Sequence, residues 1–144
     1  MALIFKLSPN LPNLFHIRRM YTKKEYPLSA ITDQILAAAI RVHRELGPGF
    51  QEVIYQRALA LELRAQTLDF SREVWIDVYY RIEKVGKKRV DFIIEGVMVE
   101  IKARAGLEPV DYVQALSYLK ASGFKVGLLL NFGAEHLEIK RLIH

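Results

Sequence analysis

The chain contains no cysteine, which removes whole classes of chemistry at once. Disulfide frameworks and thiolate zinc centres are excluded, and any bound metal must be held by oxygen or imidazole ligands. No apolar run is long enough to span a bilayer, and none is followed by the small-residue site at which a secretory leader is cut. There is no internal repeat, and 144 residues leave no room for a second domain. Acidic residues are missing before Glu25, whereas Lys6, Arg18, Arg19, Lys23 and Lys24 fall in that stretch and Pro9 and Pro12 interrupt any helix there. Residues 1–27 are therefore expected to be a basic, flexible extension, and residues 28–144 the one folded domain. A cysteine-free, span-free chain fits a reducing cytoplasm.

The composition that is present, 51% hydrophobic and 26% charged, belongs to a globular protein and not to a disordered one. The net charge of +5 suits a polyanionic partner. Lys84, Lys87, Lys88, Arg89, Lys102 and Arg104 flank a single stretch, residues 89–103, which reads as two short β-branched strands joined at Glu95-Gly96. A two-residue turn sets Ile94 against Val97, Phe92 against Val99 and Val90 against Ile101, giving one apolar face. The other face then pairs Ile93 with Met98, Asp91 with Glu100 and Arg89 with Lys102. Two carboxylates are thereby placed roughly 5 Å apart at Cβ, where like charges oppose folding. A divalent cation would turn that repulsion into a ligand pair, with Lys102 beside it. Alternation of charged and apolar residues on a hairpin is also what a plain solvated face looks like, and a turn one residue longer would undo the pairing.

Around the hairpin the periodicity predicts a helix from Ser29, with Ile31, Ile35, Ala38, Val42 and Leu46 on its core stripe, stopped by Gly47-Pro48-Gly49. His43 is expected at its surface or boundary. A second helix over about 50–66 has Phe50, Ile54, Ala58, Leu61 and Ala65 as its expected buried stripe, and a second row in which Glu52 heads Leu59 and Leu63. At that position Glu52 also suits the helix dipole without any further role. Residues 71–80 alternate as a half-buried strand. A third helix opens at Pro109 with Tyr112, Leu116 and Leu119 inward, and carries Gln114 and Tyr118 together on an adjacent face. Residues 126–131 read as a strand buried on both faces, and residues 137–143 as an edge strand or tail.

This order of elements, with Val90-Asp91 followed by Glu100-Ile101-Lys102, resembles the PD-(D/E)xK nuclease superfamily. Gly49-Phe-Gln-Glu52-Val-Ile-Tyr55 resembles the pattern that names its GxxExxY family, and Leu46-Gly-Pro-Gly49, Glu100-Ile-Lys-Ala103, Gln114, Tyr118-Leu-Lys and Leu129-Leu-Asn-Phe132 also look like that family's running pattern. The likeness covers about residues 29–141. It implies an α/β (α+β) restriction-endonuclease-like core, a mixed central sheet flanked by helices, and a nuclease that hydrolyses DNA or RNA with Mg²⁺ or Mn²⁺. Carried onto this sequence, it implies metal ligation by Asp91, Glu100 and the Ile101 carbonyl, and a Lys102 that orients the attacking water. Glu52 would serve a metal-bound water or a second ion, and Gln114 would position nucleophile or phosphate. Tyr55 and Tyr118 fall to a supporting role. Two other readings stand beside this: a non-catalytic nucleic-acid- or protein-binding module on the same fold, and a small interaction domain with the hairpin as ordinary surface. With no recognition domain attached, the expectation is modest intrinsic specificity, a homodimer, or delivery by a partner protein.

Overall fold

The computed structural model describes residues 28–144 together with the backbone of residues 3–7. The expected extension, residues 1–27, therefore lies outside the described residues apart from one short strand. The elements are β1 (Leu3–Leu7), α1 (Ser29–Leu46), α2 (Glu52–Ala65), β2 (Phe70–Tyr80), β3 (Glu83–Ile94), β4 (Val97–Lys102), α3 (Pro109–Ser122), β5 (Val126–Asn131) and β6 (Leu137–Ile143). The strands form one mixed sheet in the order β1-β6-β5-β4-β3-β2, parallel between β4 and β5 and antiparallel elsewhere. It is an α+β sheet with helices on both faces. Residues 137–143 are not its edge, because β1 pairs along the outer side of β6.

Two apolar layers sandwich the sheet. On one side α1 and α2 pack Ile35, Ala38, Tyr55, Leu59 and Leu63 on Phe92, Ile94, Val97, Val99 and Ile101. On the other, Ala115 and Leu119 of α3 meet Ile76, Val90, Met98, Leu129 and Leu142. The buried face of α2 is built on Leu59 and Leu63 of the second row, joined by Tyr55, while Glu52 at the head of that row is exposed and Phe50 and Leu61 of the expected main stripe are 48% and 65% exposed. The helix carries two apolar stripes, and the sheet takes the one that brings Tyr55 down onto Phe132, ring centroids 4.9 Å apart. His43 is buried and not a boundary residue, its Nε2 lying 3.0 Å from the Ala134 carbonyl oxygen.

The central hairpin has the expected register, Ile94 against Val97, Ile93 against Met98 and Phe92 against Val99. Its two-residue turn places both Glu95 (φ 48) and Gly96 (φ 83) in the left-handed region, the geometry that matches the strands' twist and that glycine adopts without strain. Beyond Phe92 the expected apolar face breaks: Val90 packs with Met98 on the α3 side, not with Ile101 on the α1/α2 side. The cause lies in the neighbouring strand. Glu73 has φ 52, so β2 turns over there, and its partner β3 turns with it between the pairs Arg72–Phe92 and Val74–Val90. Asp91 sits at this pivot, where the ribbon crosses from one face of the sheet to the other.

The loop after β4 is clipped to the ends of β5 and β6. Asn131, wholly buried, accepts from the Arg104 amide at 2.9 Å and donates to the Arg104 carbonyl (3.0 Å) and to Glu138 Oε1 (2.9 Å). Glu138 also accepts from the Leu107 amide, and Arg104 holds Asp111 at 2.7 Å, which fixes the first turn of α3. Gly133 closes over this loop so tightly that a Cβ there would lie 2.3 Å from the Arg104 nitrogen and 2.4 Å from the Ala103 carbonyl carbon. Both neighbours are backbone and have no rotamer into which to retreat, so Gly133→Ala is expected to destabilise the domain by about 3 kcal/mol. Urea unfolding of the two proteins side by side measures this.

Candidate functional site

The site forms where β3 leaves the ladder it shares with β4. Backbone pairing between these strands runs to Phe92–Val99, and past it the two acids bind each other's strands. The Asp91 amide donates to Glu100 Oε1 at 3.0 Å, and the Ile101 amide donates to Asp91 Oδ2 at 2.7 Å. Each carboxylate thus has one oxygen tied to the opposite strand, which holds the pair together at the pivot described above. Bonds from an amide to a charged acceptor are roughly twice as strong as neutral ones. Glu100 Oε2 has no hydrogen bond among the described residues, so half of that carboxylate is left for something else.

The electrostatics of this arrangement are unfavourable as it stands. Glu100 is buried, and its carboxyl is pushed up to about 8, first by burial and then by the charge of Asp91, against the lowering effects of the Asp91 amide and Lys102. Asp91 is also raised, by burial, although the Ile101 amide, Lys102, Gln56 and Arg89 all pull the other way. Two neighbouring acids with little water cannot both ionise cheaply. Lys102 lies beside them, half-buried, its Nζ donating to Gln114 Oε1 at 3.1 Å, so α3 steadies the amine from across the site.

Glu52 opens α2 and looks into the same region. The residue as a whole is exposed, yet its carboxyl is raised, first by the protein that crowds it and then by Asp91 and Asp111, while Lys102 and Arg104 lower it. It makes no hydrogen bond or ion pair among the described residues, and no three acidic or histidine side chains there form a closed ligand cluster. Glu52 is within electrostatic reach of Asp91 and Glu100 but not bonded to either.

The two tyrosines differ. Tyr118, half-buried on α3, feels Glu100: its hydroxyl is raised by burial and by that carboxylate's charge. Tyr55 does not touch the acids. Its hydroxyl donates to the Gly47 carbonyl at 2.6 Å and accepts from the Phe50 amide at 3.2 Å, so it ties down the loop that leads into α2 and through it the placement of Glu52.

Two contributors were given no role by the sequence, although Gln56 stands there as a helical neighbour of Glu52. Gln56, buried on α2, donates to Asp91 Oδ1 at 3.1 Å, and Arg72 of β2 donates to Gln56 Oε1 at 2.7 Å. The amide is thereby oriented with its NH₂ toward the carboxylate, and Arg72 is held by its guanidinium 5.9 Å from the Phe92 ring centroid. Gln56 stands four residues after Glu52 on the same helical face, a spacing that could have marked it; nothing local distinguishes Arg72 from any other strand arginine.

Hard oxygen donors, a desolvated acid pair and an oxygen without a partner suit a small divalent cation. Mg²⁺ keeps several waters and needs only one or two carboxylates from a protein, so an open pair is a better match to it than a closed cage would be. A family model described as the PD-(D/E)XK nuclease superfamily matches residues 29–142. No curated protein and no solved structure matches the chain.

Proposed function

Since the chain belongs to the PD-(D/E)XK nuclease superfamily, we propose that it is a divalent-metal-dependent nuclease, hydrolysing phosphodiester bonds of DNA or RNA, with its catalytic centre at the pivot of β3 and β4. The observation that carries this reading is the reciprocal hold of Asp91 and Glu100 on each other's strands beside the Lys102 amine. Asp91 and Glu100, with the Ile101 carbonyl, would hold Mg²⁺ or Mn²⁺, whose chemistry is to polarise the phosphate and make a bound water more acidic. Lys102 would orient the attacking water and offset the negative charge that grows on the phosphoryl oxygens. Gln114 sets where that amine points, through the 3.1 Å bond it accepts. Gln56 fixes the rotation of the Asp91 carboxylate, leaving the Ile101 amide on one oxygen and its own NH₂ on the other. Glu52, facing the same region from α2, would bind a metal water or a second ion. Tyr118, on α3 within the electrostatic reach of Glu100, would support the site from that side. The likeness to the GxxExxY family rests on Gly49, Glu52 and Tyr55, of which Tyr55 acts here through the loop it anchors.

Metal titration by calorimetry tests the reading before any substrate is chosen. Wild type is expected to bind Mg²⁺ or Mn²⁺ with release of a proton near neutral pH, and Glu100→Ala to lose most of that heat. Equal binding by the two proteins would move the metal away from this pair and take the proposed mechanism with it. Wild type that binds metal but cleaves neither DNA nor RNA would favour a non-catalytic nucleic-acid- or protein-binding module on a nuclease fold.

A further inference from the structure

The β2–β3 ribbon is uncovered at its far end: every residue from 79 to 89 is exposed. Five of these, Arg81, Lys84, Lys87, Lys88 and Arg89, are basic, and Glu83 alone is acidic. Residues 28–144 hold sixteen basic and fifteen acidic side chains, so with the ribbon set aside eleven basic stand against fourteen acidic. Outside this one projection the described domain is electronegative, and its unreconciled acids are in the site. A polyanion would be repelled by the body of the domain and drawn to the ribbon.

The ribbon's two faces are unlike. Val74 and Ile76 turn toward α3 and are partly or wholly buried there. On the other face, cross-strand pairing sets Trp75 against Arg89, Asp77 against Lys87 and Tyr79 against Lys84. Trp75 and Tyr79 are 54% and 59% exposed on this face, so core packing does not account for them. Lys87 Nζ lies 4.4 Å and the Arg89 guanidinium carbon 5.8 Å from the Trp75 ring centroid, while Lys84 is paired at 2.9 Å with Asp77, the one carboxylate between the two rings, an exposed pair that a phosphate can displace. Arg89 and Asp91 share the parity of β3, and the charge of Arg89 is felt at Asp91, so the row runs directly into the pivot.

We propose that this face of β2–β3 is a track for single-stranded nucleic acid, with bases stacked on Trp75 and Tyr79, phosphates on Lys84, Lys87 and Arg89, and the strand led along it to Asp91. The inference rests on the nuclease reading for its direction, though not for its chemistry. A half-exposed ring capped by a mobile lysine is what an unpaired base can use, the base taking the place of the Lys87 amine over Trp75 and the amine turning to the phosphate. In a duplex the base faces are already stacked, and only their edges reach a protein.

Trp75 is the sole tryptophan of the chain, so its emission reports on the track alone. Full-length protein in EDTA would be titrated with fluorescein-labelled oligodeoxythymidine, with oligouridine, and with a DNA duplex of equal length, following anisotropy and tryptophan emission. Saturable quenching and single-strand affinity about 10-fold or more above duplex affinity are expected. Tyr79→Ala should weaken single-strand binding about 10-fold with little effect on duplex. Lys84→Ala with Lys87→Ala should lower the slope of log affinity against log salt by about 1.4. All three positions are exposed, so circular dichroism should be unchanged. Equal affinity for duplex, unaltered emission, or a concentration-dependent dimer that shields Trp75 before any oligonucleotide is added would overturn the proposal. The two readings separate cleanly. Quenching without metal-dependent cleavage keeps the track and removes the nuclease; cleavage that needs Lys102 without quenching does the reverse.

Discussion

Replacing Lys102 with methionine is expected to reduce metal-dependent cleavage of nucleic acid by about 10³-fold while leaving the fold and the metal affinity nearly intact. The amine is half-buried at the end of β4, and its one direct bond among the described residues is the 3.1 Å contact to Gln114 Oε1 on an exposed glutamine. Losing that bond costs little, because Gln114 can turn to water, and methionine keeps the aliphatic stem; urea stability should change by less than about 1 kcal/mol. The rate effect is large for a different reason. Lys102 is the cation that lowers the carboxyls of Glu52, Asp91 and Glu100, and charge that grows on a phosphate at this site has no equally close compensation from a side chain. An interaction made only as charge develops should appear in kcat and not in KM. Gln114→Ala, which frees the amine without removing it, should cost about 10-fold, well short of the lysine's own effect. The assay is initial rates in Mg²⁺ and in Mn²⁺ on single-stranded and duplex substrates, with Asp91→Ala to exclude a contaminant. Full activity in the methionine variant would rule out the proposed part for Lys102.

Much of this site could be read from the chain because it sits on a hairpin, where spacing converts directly to geometry. The Glu95-Gly96 turn sets the register as far as Phe92–Val99, and the next residues outward, Asp91 and Glu100, meet not as a ladder pair but through a bond from each side chain to the other strand's backbone. The same logic failed one residue further on. A left-handed Glu73 has no signature in a strand of alternating residues, so nothing local announces that Val90 leaves the face of Phe92 and Ile94. That turnover positions Asp91, and it is stabilised by tertiary partners, Gln56 and Arg72, from two other elements. The second helix shows a related limit. Phe50-Ile54-Leu61 and Tyr55-Leu59-Leu63 are both plausible apolar stripes, and only the presence of Phe132 and the sheet decides which is buried. Tyr55 was legible as part of a motif, but its work on the Gly47–Phe50 backbone was not, because a hydroxyl's partner depends on how a loop closes.

Glu100→Gln should stabilise the metal-free protein, and the gain should grow with pH. The Glu100 carboxyl is raised from an ordinary 4.5 to about 8 in the folded domain. Below pH ~4.5 folded and unfolded chains both hold the proton and the side chain adds no pH dependence. Between that point and about 8 the folded state keeps a proton that the unfolded state has released, so wild-type stability falls as pH rises, and it levels off above 8. The 3.5 pH units between 4.5 and about 8, at ~1.4 kcal/mol each, set an upper bound of about 5 kcal/mol; because Asp91 and Glu100 share the strain of a single proton, a difference of roughly 2 kcal/mol by pH 8.5 is the expected size. Glutamine retains an Oε1 for the Asp91 amide, so the bond that locks β3 to β4 survives the substitution. Burial raises Glu52 in both proteins and largely cancels in the comparison, whereas Asp91 ionises more easily beside a neutral glutamine, which adds to the difference. Mg²⁺ should act in the opposite sense: it favours the ionised acid, so it should restore wild-type stability at high pH and do nothing for the glutamine variant. Urea unfolding from pH 5 to 8.5, in EDTA and in Mg²⁺, gives four curves. The acid pair is a metal site held under electrostatic strain only if wild type in EDTA falls most steeply with pH and the other three curves lie closer to one another than to it.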